Sequence, residues 1–141
     1  MEDYNCTLYL PNSKERVFEA ISSEVSLWWG KTDVSKTKAD SVFKVSWGEP
    51  WYQFRVTDFE EGRHMTWLCI DANQIIKGLE GIQKEWVGTS IHWSVESTGE
   101  NTSILHFKHE GLTPKLICFD FCSSTWNMFL KDRLVSFLGA Y

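Results

Sequence analysis

The chain is poor in proline, with three among 141 residues, and holds only nine glycines and four cysteines. So little proline and glycine leaves no material for a flexible or extended linker, and there is no internal repeat or low-complexity run. One folded unit over residues 1–141 is expected, long enough to bury a core without disulfides or a structural metal. Basic residues are also short, 14 Lys and Arg against 19 Asp and Glu, for a net charge of −5 and a pI near 5.3. The lysines are scattered among acids, which excludes the clustered positive track that phosphate contacts require, so no nucleic-acid partner is expected. No uncharged apolar run reaches about 18 residues, so no membrane partner is expected. MEDYNCTLYL opens on two acids and has neither a basic region nor a long apolar one, so it does not read as a secretory signal. A cytoplasmic protein with reduced thiols is the expectation.

The signatures of common chemistries are missing as well. There is no G-x-S-x-G, no H-E-x-x-H, no phosphate-binding glycine loop and no evident inward-facing carboxylate pair. Cys118 and Cys122, four residues apart and close in sequence to His109, fall short of the roughly four ligands of a structural zinc, and packed thiols are the simpler reading. No catalytic residue, cofactor or metal is therefore assigned.

What the chain has in quantity is aromatic rings: eight Trp, nine Phe and four Tyr, 15% of the residues. Rings pack with directional preferences and recur on the walls of ligand sites, so they set the question of whether they fill the interior or leave a gap.

Periodicity places them. Residues 4–10 alternate as a strand; Pro11-Asn12-Ser13 ends it, and Asn12 with Glu15 three residues on resembles a capping box opening a short helix over 13–22. SEVSLWWG reads as a second short helical turn ended by Gly30. From residue 41 the period becomes two. Phe43, Val45 and Trp47 share a face, as do Tyr52, Phe54 and Val56; Glu60-Glu61-Gly62-Arg63 turns the chain into HMTWLCI. Residues 71–84 have no clean period and read as a loop. Two further strands carry Ile91, Trp93 and Val95, then Leu105, Phe107 and His109, for six strands in all. The last element, from about Pro114 to Leu138, is a long helix whose broad apolar stripe includes Phe119, Cys122, Trp126, Phe129, Leu130, Leu134 and Phe137. Ile117, Phe121, Met128 and Val135 form a weaker apolar strip nearly opposite.

Strand, two short helices, five strands and a long terminal helix make the helix-grip order, an α+β class with a curved antiparallel sheet around the C-terminal helix. SKERVFEAISSEVSLWWG, EWVGTSIHWSVE, TSILHFKHEGL and the closing CFDFCSSTWNMFLKDRLVSFLGAY resemble the family homologous to the activator of the heat-shock protein 90 ATPase, within the START-like or SRPBCC superfamily. The resemblance spans essentially the whole chain and rests on hydrophobic positions together with W-x-G-T, H-x-G-L and a Trp in the last helix; Glu60-Glu61-Gly62 departs from the usual acidic-Pro-Gly turn. It implies an apolar cavity between sheet and helix that in relatives holds lipids, sterols, polyketides or hormones. The co-chaperone that names the family has a separate N-terminal domain with no counterpart here, which speaks against a chaperone partner.

The expected lining is Trp47, Phe54, Trp67, Trp93 and Phe107 from strands and Phe119, Cys122 and Trp126 from the helix. His109, inward by strand phase, either orients a ligand or is a hydrogen-bonded core residue; Arg133, in the helix stripe, either binds a ligand carboxylate or snorkels at the helix end. Trp28-Trp29 either gates the cavity mouth or anchors its short helix. The leading functional expectation is sequestration of a small apolar molecule. The alternatives are a protein-interaction module related to the heat-shock protein 90 co-chaperone, using Ile117, Phe121, Met128 and Val135 either for a homodimer or for a chaperone client or partner, and a cyclase-like enzyme built on converging polar groups in the pocket.

Overall fold

A computed structural model describes residues 2–139, leaving Met1, Ala140 and Tyr141 of the expected 1–141 unit outside the described residues. The chain begins with β1 (Tyr4–Leu10), α1 (Lys14–Ser23) and a single 3-10 turn at Val25–Leu27. Then come β2 (Lys31–Thr32), β3 (Val42–Ser46), β4 (Trp51–Glu60), β5 (His64–Asn73), β6 (Ser90–Gly99) and β7 (Thr102–Glu110). The C-terminal helix runs through α2 (Phe119–Asn127), a π-helical segment (Met128–Leu134) and α3 (Val135–Gly139).

All pairings in the sheet are antiparallel, in the order β1-β7-β6-β5-β4-β3-β2. The half-barrel grips the C-terminal helix, as the period-two and helical patterns predict. There are seven strands where six are expected, because Lys31–Thr32 adds a two-residue edge strand too short to show alternation. Two register shifts between β4 and β5, at Gln53/Phe54 and Val56/Asp58, bend the sheet around its contents.

Local chemistry corrects two boundaries. Ser13, not Asn12, caps α1: its hydroxyl accepts from Arg16 N–H at 3.1 Å, while Asn12 Nδ2 donates across the fold to the carbonyl of Leu138. The helix expected from Pro114 starts at Phe119, and Glu85, from a different segment, accepts from the backbone N–H groups of Ile117 and Cys118 at 2.8 and 2.9 Å. A carboxylate there satisfies orphan donors and complements the helix dipole.

The helix buries Cys118, Cys122, Trp126, Leu130, Leu134 and Leu138, a strict four-residue repeat. In a pure α-helix each such step advances the stripe by about 40°, so it would spiral off the sheet. The π-helical segment under-winds the chain and returns the stripe to the sheet.

Candidate functional site

An apolar cleft of about 310 Å³ opens between the first half of the C-terminal helix and one end of the sheet. Its lining includes Trp29, Trp47 and Tyr52, and Ile75, Ile76 and Trp86 from the β5–β6 connection. Phe121, Cys122, Thr125, Trp126, Met128 and Phe129 come from the helix, and Pro50 completes the wall. Its volume is at the lower end of the range for small-molecule sites.

The rings form a continuous column. Trp29 stacks on Trp126 with centroids 4.9 Å apart, Trp126 on Trp86 at 5.9 Å, and Trp86 on Tyr52 at 4.0 Å, with interplanar angles of 25° or less. Gly30 makes room at one end: a side chain there would meet the Trp47 ring at 2.6 Å.

The polar atoms of this wall are largely committed to protein. Trp47 Nε1 donates to the carbonyl of Trp29 at 2.8 Å, Thr125 Oγ1 to that of Phe121 at 2.8 Å, and Tyr52 OH to Gln74 Oε1 at 2.5 Å. Burial raises the Tyr52 phenol well above its ordinary value, so it stays a neutral donor. Among the described residues no charged side chain lines the cleft.

Behind it, three separate sequence words meet. Trp126 Nε1 donates to His109 Nδ1 at 3.1 Å, which requires the proton of a neutral imidazole to sit on Nε2 and point at Thr89 Oγ1, 2.8 Å away. Thr89 Oγ1 in turn donates a hydrogen bond to the carbonyl of Trp86 at 2.7 Å. Gly111, at φ 100°, lies so close to Thr89 that a side chain would meet its methyl group at 2.7 Å. The Trp86-Val87-Gly88-Thr89 word, the His109-Glu110-Gly111-Leu112 word and the helix Trp are thus one network. His109 is fully buried, and desolvation lowers its pKa to about 3, so it is neutral and holds Trp126 upright.

Of the expected lining residues, Trp47, Cys122 and Trp126 reach the cleft. Phe54, Trp67, Trp93 and Phe107 are buried in the core behind it, and Phe119 packs half-buried against that core. His109 also stays behind the wall. Arg133 is exposed on the outside of the helix: at 3.6 residues per turn it lies one face-repeat from Trp126, but the π-helical segment slips the phase and turns Leu134 inward instead. In the opposite strip, Ile117, Phe121 and Met128 are exposed at 58, 51 and 37%, whereas Val135 is partly buried against the core. Phe121 and Met128 form part of the cleft wall, with exposed Ile75 facing them from the loop.

The Trp pair divides its roles. Trp28 Nε1 donates to Ala20 carbonyl at 2.9 Å and anchors the short turn to α1, while Trp29 lines the cleft. Trp86, Ile75 and Ile76 have no periodicity to betray them, being loop residues. Tyr52 has a signal, since its strand phase is that of Phe54 and Val56. Among the described residues no group of three or more His, Cys, Asp or Glu is placed to hold a metal ion.

The architecture is a helix grip, a curved antiparallel sheet around a long C-terminal helix. Solved structures share it: MLL2253 from Mesorhizobium loti (TM-score 0.74, 13% identity, 96% of this chain and 97% of that one) and the Aha1 dimer from Colwellia psychrerythraea (0.71, 19%, 93% and 92%). DynU16, from the dynemicin biosynthetic locus, superposes with a TM-score of 0.73 at 15% identity over 99% of this chain, which spans only 48% of DynU16. At such identities the likeness establishes the fold alone. No protein-family model and no curated protein matches the sequence. No helix among the described residues is long and apolar enough to cross a membrane.

Proposed function

We propose that the chain is a single-domain, cytoplasmic member of the START-like (SRPBCC) superfamily that sequesters a small, uncharged, largely apolar molecule in the cleft between sheet and C-terminal helix. One observation carries this reading: a ligand-sized cleft whose wall is aromatic and aliphatic, without a charged side chain. Such a wall gains by removing apolar surface from water and gives a carboxylate or phosphate no counter-charge. The committed hydroxyl and indole groups fix the wall without offering a reactive pair, which favours binding over turnover. The shared fold of the Aha1 and DynU16 structures supports the superfamily reading, and no chaperone partner is proposed.

The test is a titration with uncharged aromatic and aliphatic probes, read by tryptophan fluorescence and native mass spectrometry. Thr125→Trp, which fills the cleft from its own wall, is expected to abolish binding while the protein stays folded. Equal binding by that variant would remove the cleft as the site.

A second reading rests on the exposure of Ile117, Phe121 and Met128, an apolar strip suited to a protein partner or a second copy of this chain. Sedimentation of the wild type and Phe121→Ser at increasing concentration tests it; a monomer throughout contradicts the homodimer.

A further inference from the structure

The chain has eight indole N–H groups, and all but one are bonded, sealed or outside the cleft. Trp28, Trp47 and Trp126 donate to the Ala20 carbonyl, the Trp29 carbonyl and His109 Nδ1 at 2.9, 2.8 and 3.1 Å. The N–H groups of Trp67, Trp86 and Trp93 lack an acceptor but are sealed from solvent, so a molecule in the cleft does not reach them. Trp51 lies outside, under the ammonium groups of Lys44 and Lys84. Trp29 is the exception. Its N–H makes no hydrogen bond among the described residues, yet it is not one of the sealed groups, although only 6% of the residue is exposed. Trp29 lines the cleft, so the opening left to that N–H is the cleft itself.

The ring is fixed from several sides. The Trp29 carbonyl accepts from Trp47, its ring stacks on Trp126 at 4.9 Å and on Trp67 at 6.2 Å, and a side chain at Gly30 would strike Trp47. A donor held in place beforehand loses little freedom when it bonds a ligand. One neutral N–H cannot offset the desolvation of a carboxylate or phosphate, and no charged side chain of the lining assists it. An alcohol brings a proton that needs an acceptor of its own, whereas a ketone or ester oxygen asks only for a donor.

We propose that Trp29 Nε1 is the hydrogen-bond donor that orients the molecule bound in the cleft, and that this molecule is a neutral, largely apolar compound carrying a ketone or ester oxygen. The oxygen meets the Trp29 N–H, and the apolar remainder lies against the rings and aliphatic groups of the wall. This inference rests on the binding role proposed above and names the class of molecule that the role requires.

Two probes of one shape separate the oxygen from the rest of the molecule: 2-acetylnaphthalene, and 2-isopropenylnaphthalene, in which a methylene group replaces the carbonyl oxygen. Their dissociation constants are measured for the wild-type protein and for Trp29→Phe, which keeps a ring and removes the N–H. The smaller ring weakens both probes, so the readout is the ratio of ketone to alkene affinity. That ratio is expected to fall about tenfold in Trp29→Phe, the effect of losing one hydrogen bond and leaving its acceptor buried. In the wild type, the Trp29 indole proton resonance is expected to move downfield with the ketone and not with the alkene, and this measurement decides alone if Trp29→Phe does not fold. An unchanged ratio, or an equal response of the Trp29 proton to both probes, would overturn the role of Trp29 while leaving the cleft as the binding site. Binding of neither probe would overturn the binding role and this inference with it.

Discussion

The two halves of the C-terminal helix face the same sheet with different results. From Leu130 onward the buried positions are Leu130, Leu134 and Leu138, all with no exposed surface, and that half is sealed. Before it the buried positions are Cys118, Cys122 and Trp126, two small side chains and one large ring, and there the cleft opens. Aromatic content does not explain the difference, because Trp93 and Phe107 also meet Trp126 and neither lines the cleft. The void follows from small residues placed opposite rings that are held by hydrogen bonds and cannot collapse inward.

The contrast can be broken most forcefully in the sealed half. Leu134→Ala is expected to cost about 2–5 kcal/mol in urea denaturation, since a tight core cannot close over the deletion. Phe121→Ala, half-exposed at the cleft, is expected to stay within about 0.5 kcal/mol. Comparable losses at the two sites would erase the distinction.

The network behind Trp126 sets the next effect. The His109 pKa of about 3 lies below the ordinary value near 6.5, so below pH 6.5 the unfolded chain binds a proton that the folded one refuses. This contribution is complete above pH 6.5 and is lost as pH falls toward 3. Between pH 8 and pH 5 it should cost about 2 kcal/mol, a loss measured by denaturation at both values and smaller in His109→Gln. An identical pH dependence in that variant would contradict a neutral buried imidazole.

The smallest effect sharpens the boundary of the open half. Glu85 ties the β5–β6 connection to the helix start, so Glu85→Ala is expected to lower stability by about 1 kcal/mol and to speed amide exchange at Ile117 and Cys118. Unchanged exchange there would mean that the carboxylate does not hold the helix end.

Much of this was legible in the residues. Alternation located the strands and turned His109 inward, and the order of elements gave the helix grip. Arg133 was misplaced because a 3.6-residue period cannot anticipate a π-helical phase slip, although the unbroken four-residue spacing from Cys118 to Leu138 is its trace. Trp86 and Ile76 escaped because loop residues have no period, and their place on the wall is set by Gln74 and Glu85 reaching across the chain. Phe54 and Trp67 show the converse limit: phase says which rings face inward, but only their neighbours decide which of them meet the void.

The most direct test is nuclear magnetic resonance of the indole N–H signals during titration with an uncharged aromatic probe such as naphthalene. Saturable shifts at Trp29, Trp47, Trp86 and Trp126, with Trp51 on the outer surface unmoved, are the predicted result. A titration that moves none of those four, or moves all eight alike, would contradict a cleft that receives small apolar molecules.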